Sequence, residues 1–304
     1  MARKRSLFDR LWPGRAANDR QSEVFGPQQE AYVLRHAGVP EHIPGLMAGV
    51  SAAAPCLVDD HLCFTKENWL IFVGYPLEGP FSVERCTAAV NRAVAQYHPR
   101  VIWFIGPQVP AELAARCCAR QTDVYYRLDL PVALKPALRR AIRAAAANLT
   151  VRAGRAYKAE HVALADELMA RTPLPAMVAG LYRAMPDYVA RSATATVLEA
   201  RTATGALAAF YVVEEAAPAF DVYVLAAYTR HPYVPHASDL LCAAMIERAQ
   251  AAGKHLIHLG LGVNAGIRRF KEKWGGVPFL TYEFCECRFY SGHPMVDLLL
   301  EWKL

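Results

Sequence analysis

The sequence of 304 residues predicts an α/β fold with a mixed, partly parallel sheet, arranged as two related halves of which the first is degenerate. Hydrophobic residues make up 54% of the chain and charged residues 20%, which excludes a disordered chain and permits a large core. Predicted strands alternate with single helices, an order that places helices over a sheet. The succession hairpin, helix, strand, helix, strand occurs twice without obvious sequence identity, which indicates two copies of one fold.

The first 50 residues are predicted to be a basic tail and lead-in, with one helix around Gln28–Ala37. Residues 1–20 hold six basic and two acidic side chains, and therefore supply +4 of the formal net charge of +6. Such a tail is able to contact an anionic membrane surface or RNA, although a solvated tail is the simpler interpretation. No apolar run is long enough for a transmembrane segment or a secretory signal, so a cytoplasmic location is expected.

Residues 51–133 are predicted to form the first, degenerate half. Two apolar segments, 56–65 and 69–75, are interpreted as a hairpin around the turn at Lys66. A helix follows Ser82, which is a good N-cap residue. The remaining predicted elements of this half are a buried strand at 101–105, a helix at 111–120 and a strand at 124–130.

Residues 134–148 are predicted to form a helix that links the first half to the second half, 149–304. The second half has the predicted order β-α-α-β-β-β-α-β-α-β. Ser238 is expected to cap one of its helices and Gly253 to end it. The predicted strands are 149–155, 195–201, 206–213, 221–228, 256–261 and 279–289, and the predicted helices are 159–170, 175–190, 238–252 and 265–274.

The eight cysteines are expected to be reduced, because the chain has no secretory signal. None of them forms a C-x-x-C pair, and Cys285 and Cys287 fall on one face of a predicted strand. A zinc site needs a different spacing and a second pair of ligands. We therefore predict no metal site, and interpret the cysteines as small buried hydrophobic residues.

Residues 258–276 read HLGLGVNAGIRRFKEKWGG, a strand that ends in a glycine-rich turn and leads into a short helix. This segment resembles the end of Fem-type aminoacyl transferases, and related acyltransferases of the GNAT superfamily and lysyl-phosphatidylglycerol synthases are similar here. The helix that starts at Ala237 also resembles the matching Fem helix, and the order of elements extends the resemblance to 56–290. The resemblance implies tandem GNAT-like domains, with the chemistry in the second: transfer of an acyl or aminoacyl group to an amine acceptor, with aminoacyl-tRNA as a candidate donor.

Lys271 is the predicted catalytic residue. At about 100° per residue, Ile267, Phe270 and Trp274 share an arc of about 60°, and Lys271 lies at its rim. A cation fixed there stabilises the negative charge that develops on a carbonyl oxygen during acyl transfer, by roughly 3–4 kcal/mol. The Fem resemblance implies that the equivalent lysine acts on the aminoacyl donor. In the alternative, the lysine stem lies on Trp274 and the ammonium is in water.

Other side chains near this helix are weaker candidates. Asn264 is expected to cap the helix, with contact to the donor as a second role, and Arg268 and Phe270 are donor-binding candidates. Tyr228 and Tyr282 are candidates to protonate the leaving group, a role that the GNAT resemblance implies for a tyrosine. Glu214 and Glu215, which precede a proline-containing turn, are expected to be surface charges.

The turn from Tyr228 to Asp239 argues against an acetyl-CoA donor. GNAT enzymes bind the pyrophosphate of CoA with a glycine-rich turn at this place, but here the turn contains no glycine and two prolines, which lack a backbone N–H. Asp239 adds negative charge. An acyl-CoA donor bound in an unusual way remains the alternative, and no other cofactor is implied. The donor-binding candidates here are Arg230, His236, Ser238 and Asp239.

A basic stretch between Lys135 and His161 is a candidate tRNA surface, since RNA phosphates are bound by lysine and arginine. It contains a single acidic residue, Glu160. A solvated face is the alternative interpretation, and a non-catalytic GNAT-fold binding protein is the alternative function. The basic residues are Lys135, Arg139, Arg140, Arg143, Arg152, Arg155 and Lys158.

Overall fold

The computed structural model describes residues 25–231 and 233–289, which form a single 11-stranded mixed sheet with helices on both faces. This confirms the predicted fold class. The strands are β1 (Ala54–Val58), β2 (His61–Lys66), β3 (Trp69–Val73), β4 (Val101–Gly106), β5 (Cys117–Asp129), β6 (Leu149–Gly154), β7 (Ala195–Thr202), β8 (Leu207–Glu214), β9 (Phe220–Tyr228), β10 (Leu256–Leu261) and β11 (Val277–Arg288). The helices are α1 (Pro27–Arg35), α2 (Pro44–Ser51), α3 (Val83–Tyr97), α4 (Ala111–Ala114), α5 (Pro136–Ala146), α6 (Ala159–Arg171), α7 (Ala176–Arg191), α8 (Ala237–Ala251) and α9 (Ala265–Lys273), and a 3-10 turn spans Pro40–His42.

Strands β5 and β11 are exchanged between the two halves of the sheet, whose order is β1-β2-β3-β4-β11-β5-β10-β9-β8-β7-β6. β5 comes from the first half of the chain but pairs with β10, and β11 comes from the end of the chain but pairs with β4. The two exchanged strands also pair with each other, with Asp123 opposite Tyr282. The two halves predicted from sequence therefore share one continuous sheet, and each is completed by a strand of the other.

The sheet contains two parallel strand pairs, β3 with β4 and β9 with β10, and both end near the middle of the exchanged strands. The last residue of β4 lies opposite Glu283 of β11, and the last residue of β10 lies opposite Tyr125 of β5. Carboxyl ends of parallel strands are where open sheets bind ligands. The exchange thus brings both candidate ligand sites of the fold to the centre of the molecule.

Helices cover the two faces of the sheet with different cores. Neighbouring residues on a strand point to opposite faces, so Tyr125 packs into the core below α1, whereas Tyr126 packs into the core shared with α5 and α8. The helix α3 covers a third core, in which Cys285 and Cys287 are buried with their sulfur atoms 3.3 Å apart. Both cysteines lie on one face, as predicted, and all eight cysteines of the chain are free thiols.

Two local predictions were wrong, and one helix was missed. Residues 56–65 form two strands, because the chain turns at Asp59, whose φ is 53°. The helix predicted at 111–120 ends at Ala114, because Cys117 already begins β5 and pairs with β11. The helix α2 was not predicted, since its short apolar sequence lacks a clear polar face.

Two of the three predicted N-caps are confirmed. The Ser82 hydroxyl accepts a hydrogen bond from the backbone N–H of Arg85 (3.3 Å), and Asn264 Oδ1 accepts one from the N–H of Ile267 (3.0 Å). Ser238 is not a cap, because α8 begins one residue earlier, after His236, whose φ is 63°. Gly253 follows α8 with a φ of 73°, as expected for a residue that ends a helix.

The described helices include none that is both long and apolar enough to cross a membrane. The basic tail predicted over residues 1–20 lies outside the described residues, so its proposed contact with an anionic membrane surface or RNA stays a prediction.

Candidate functional site

The parallel strands β9 and β10 separate towards their carboxyl ends. They are paired at Phe220–Val222 and Leu256–His258, and beyond these positions the register shows no further pair between them, although all of their residues are described. Each strand contains an irregularity there: the register of β9 shifts beside Val224, and that of β10 shifts at Leu259. A β-bulge bends and twists its strand. The two bulges therefore account for the gap between the carboxyl ends of β9 and β10, which we call the cleft.

The corresponding strands of the first half stay closed. β3 and β4 pair at five successive positions, and the N–H of Gly74 continues the ladder by donating to the carbonyl of Ile105 (2.6 Å). The ring of Phe104 lies against Gly74 and Gly106, so close that a Cβ on Gly74 would be 2.4 Å from it. The first half therefore offers no equivalent cleft, which agrees with its predicted degeneracy.

Side chains satisfy backbone carbonyls that the separated strands expose. The Tyr182 hydroxyl donates to the carbonyl of Ala226 on β9 (2.6 Å), and Arg171 donates to the carbonyl of Tyr228 (2.8 Å). On the other side of the cleft, Lys271 Nζ donates to the carbonyl of Leu261, the last residue of β10 (2.5 Å). Lys271 thus lies at the end of the β10 wall of the cleft.

Lys271 is buried, with 3% of its surface exposed, and is not the solvated lysine of the alternative interpretation. Its Nζ lies 5.5 Å from the centroid of the Tyr126 ring. Burial lowers the pKa of Lys271 from 10.5 to about 7, while the negative charge of Asp123 acts to raise it. Both the ammonium and the neutral amine are therefore populated near neutral pH.

The loop between β10 and α9 is held by Asp123 of β5. Asp123 Oδ2 accepts a hydrogen bond from the N–H of Val263 (2.8 Å), and Oδ1 accepts one from the N–H of Val124 (2.8 Å). Sequence reasoning missed Asp123, because 140 positions separate it from Val263 and only the strand exchange brings them together.

The donor-binding candidates at the start of α8 form an internal network. Asp239 is buried, and its carboxylate accepts hydrogen bonds from Lys273 Nζ (2.6 Å) and Trp274 Nε1 (3.2 Å), with His236 Nδ1 at 3.0 Å. The backbone carbonyl of Ser238 accepts a hydrogen bond from a buried tyrosine hydroxyl. Asp239 therefore joins α8 to α9.

The candidates at the end of β9 are anchored to α6. The guanidinium of Arg171 lies 4.7 Å from the centroid of the half-buried Tyr228 ring. Arg230 is exposed, and its backbone N–H donates to Glu167 (3.2 Å). The roles of Arg230 in donor binding and of Tyr228 in proton transfer stay predictions.

On α9, the remaining candidates lie near the β10 loop. Arg268 is exposed and its stem covers Gly262, where a Cβ would be 3.3 Å from Arg268 Cγ. Phe270 is half-buried against the core below α8, with Lys273 Nζ 5.9 Å from its ring centroid. Their predicted contact with a donor is compatible with these positions.

Tyr282 lies on the face of the sheet opposite to the ring that Lys271 contacts. It is 3% exposed, its ring is 5.3 Å from that of Tyr125, and burial raises its pKa above the ordinary value. A phenol whose pKa is raised holds its proton more firmly, which makes Tyr282 a weaker acid than the prediction requires.

Glu214 is not the surface charge that the sequence predicted. It is fully buried, because β8 is an inner strand covered by α7. Its carboxylate accepts hydrogen bonds from the Tyr188 hydroxyl and from the N–H of Ala216 (2.9 Å). Glu215 pairs with Arg248 (2.8 Å) at the surface, as predicted.

The described part of the chain holds one group of side chains with metal-ligand spacing, Glu160, His161 and Glu199. Arg201 forms ion pairs with both carboxylates and so takes the place of a bound cation.

A cavity of about 300 Å³ lies beside this group, and a second of about 300 Å³ lies between α2 and Tyr188. Lys271 lines neither of them.

No protein-family model and no curated relative matches the sequence. Solved structures do match. A C-terminal domain assigned to a lysylphosphatidylglycerol synthetase of Agrobacterium fabrum is 15% identical, with a TM-score of 0.56 over 90% of this chain and 94% of that chain. L-PGS from Bacillus licheniformis is 14% identical, with a TM-score of 0.55 over 94% of this chain and 99% of that chain. FemX is 10% identical, with a TM-score of 0.58 over 84% of this chain and 94% of that chain.

A tandem GNAT protein of the clavulanic acid biosynthesis pathway is also similar, at 16% identity and a TM-score of 0.51 over 85% of this chain and 94% of that chain. The protein has the tandem GNAT fold. The resemblance read from residues 258–276 is thereby confirmed at the level of the fold, for the Fem-type and lysyl-phosphatidylglycerol synthase proteins alike. In the tandem GNAT fold of this chain, the open strand pair belongs to the second half.

Proposed function

We propose that the protein is an acyltransferase that moves an acyl or aminoacyl group onto an amine acceptor at the cleft between β9 and β10. The observation that carries this proposal is the buried Lys271, whose Nζ lies at the end of the cleft wall on the carbonyl of Leu261. The fold shared with FemX and L-PGS supports the same class of reaction.

In this reaction, the amine attacks the donor carbonyl carbon, a C–N bond forms and the bond to the leaving oxygen breaks. The proton that the amine loses ends on the leaving hydroxyl. Negative charge develops meanwhile on the carbonyl oxygen, and the ammonium of Lys271 stabilises it by roughly 3–4 kcal/mol in a site with little water. Because the pKa of Lys271 is about 7, the active protonated form is populated at neutral pH and is lost as the pH rises above this value.

The start of α8 favours an aminoacyl-tRNA donor over acyl-CoA. A diphosphate at a helix N-terminus needs free N–H groups and a positive local field. Here the first turn contains the carboxylate of Asp239, and Pro235 before the helix has no N–H to offer. The positive charge of Lys273 is already paired with Asp239.

The basic stretch around α5 and β6 supports the same donor. Residues 130–159 contain seven basic and no acidic side chains. All seven are exposed, and none forms an ion pair with another described residue. Exposed cations without an ion-pair partner bind a polyanion without first losing a carboxylate. A tRNA that contacts this face is therefore part of the proposal.

A comparison of two labelled donors tests the proposal. The full chain is incubated with hydroxylamine as a generic amine acceptor and with either pooled radiolabelled aminoacyl-tRNA or radiolabelled acetyl-CoA. We expect transfer from aminoacyl-tRNA, its loss in Lys271→Ala and its retention in Arg269→Ala, a matched change of an exposed cation on the same helix. Transfer from acetyl-CoA would support the alternative donor, and activity that survives in Lys271→Ala would refute the assigned role. Absence of transfer from both donors, with a stoichiometric protein partner recovered, would support a non-catalytic binding protein.

A further inference from the structure

We infer that Asp123, on the strand that the first half contributes to the second, is a positioning residue that holds the β10–α9 loop and supplies the anion on the turn that Lys271 also binds. The inference rests on the proposed function, because it assigns Asp123 a role in the same site. Lys271 lies on α9 and Asp123 on β5, so the site depends on both halves of the chain.

The carboxylate of Asp123 fits the loop closely. Oδ2 accepts the N–H of Val263 (2.8 Å), and Oδ1 lies so near Gly262 that a Cβ there would be 2.8 Å from it. Val263 has a φ of 55°, a region that a β-branched residue rarely adopts. The hydrogen bond to Asp123 holds the loop in this conformation, and Asn264 then caps the helix that presents Lys271.

Asp123 and Lys271 bind the same turn, because Asp123 accepts the N–H of Val263 and Lys271 donates to the carbonyl of Leu261. The negative charge of Asp123 acts to raise the pKa of Lys271. Two further groups from other elements act on or contact Lys271: Tyr126 of β5, whose ring centroid lies 5.5 Å from Nζ, and His258 of β10. His258 is neutral near pH 7, because burial and the nearby Lys271 lower its pKa to about 3. On α9 itself, Arg268 and Glu272 are exposed, so solvent screens them. Asp123 therefore supplies the negative charge that opposes the effect of burial.

The first half contains a natural control for this arrangement. Glu283 of the other exchanged strand accepts the N–H of Val109, in the loop that follows β4 (2.9 Å), just as Asp123 accepts the N–H of Val263. Glu283 pairs with Arg120 (2.8 Å), and the helix after this loop, α4, is a single turn without a lysine. Each half thus has a carboxylate that holds its loop. Only in the second half is the helix after that loop one that carries a buried lysine.

The experiment compares Asp123→Asn with Glu283→Gln and measures the pKa of Lys271 by NMR of its ¹³C-labelled side chain. We expect Asp123→Asn to lower the pKa of Lys271, because the variant removes the negative charge that opposes the effect of burial. The high-pH limb of the transfer profile then moves to lower pH by the same amount. Glu283→Gln leaves the pKa of Lys271 unchanged. A folded Asp123→Asn variant with an unaltered pKa of Lys271 would overturn the inference.

If Asp123→Asn does not fold, hydrogen exchange of the wild type decides. We expect the backbone N–H of Val263 to be protected from exchange, because the Asp123 carboxylate accepts its hydrogen bond. A Val263 N–H that exchanges as fast as an unbonded amide would overturn the inference. Neither measurement needs a donor, so the expected results in a chain that transfers nothing refute only the proposed function, whereas transfer without them refutes only the role of Asp123.

Discussion

Replacement of Lys271 by methionine should stabilise the folded protein most at low pH. Burial lowers the pKa of Lys271 from 10.5 to about 7. Between these two pH values, the lysine is therefore protonated in the unfolded chain but neutral in the folded protein. The buried ammonium therefore destabilises the folded protein. This destabilisation is complete below pH 7 and disappears as the pH approaches 10.5. The shift from 10.5 to about 7 corresponds to a cost of about 4–5 kcal/mol.

The measurement is urea unfolding of the wild type and of Lys271→Met at pH 6 and at pH 9. At pH 9 the cost has fallen to about 2 kcal/mol, so the difference in unfolding free energy between the two proteins should narrow by about 3 kcal/mol. Any change in packing by the methionine is the same at both pH values and cancels. Lys135→Met, a change of an exposed lysine, is the control and should show no such narrowing. A difference that is equal at pH 6 and pH 9 would refute the reasoning, since it would mean that Lys271 titrates as in the unfolded chain.

Three further changes test other parts of the structure. Charge reversal of Arg139 and Arg143 to Glu should weaken tRNA binding at least about tenfold at low salt in a filter-binding assay, with less effect at high salt, and equal binding would exclude this face. Asp239→Ala should lower the unfolding free energy by about 1–3 kcal/mol in urea, because it leaves the buried indole N–H of Trp274 without its acceptor and removes the ion pair of Lys273; an unchanged midpoint would contradict the network. Gly74→Ala should cost about 1–3 kcal/mol by clashing with Phe104, and a wild-type melting temperature would show that β3 and β4 are free to separate.

The position of Lys271 could be predicted from sequence because it depends on local periodicity. A helix of 3.6 residues per turn places Lys271 beside the apolar face whatever the helix packs against. The same is true of the Asn264 cap, since its partner is three residues away. Features within one element and its flanking turn were thus accessible to sequence reasoning.

Features that depend on distant pairing were not accessible. The sequence around Asp123 is only half apolar, and its local pattern does not indicate a role for this residue. The role of Asp123 follows from the exchange of β5 and β11. The burial of Glu214 has the same origin, because a glutamate at the end of an apolar strand reads as a surface charge unless α7 is known to cover it. The predicted cap at Ser238 was wrong by two residues, since the N-cap is His236, and this is within the usual uncertainty of helix ends.

The cleft between β9 and β10 can persist without a ligand because side chains satisfy the carbonyls that a neighbouring strand would satisfy. Tyr182 and Arg171 do so for β9, and Lys271 does so for β10. A lysine that had to leave Leu261 in order to bind a substrate would strand a buried carbonyl, which costs about 1–3 kcal/mol. An ammonium has three N–H donors, however, and the carbonyl of Leu261 uses one. The contact that keeps the cleft open therefore leaves donors on Lys271 for a carbonyl oxygen bound beside it, and arginine, whose planar donors point in fixed directions, is not expected to replace it.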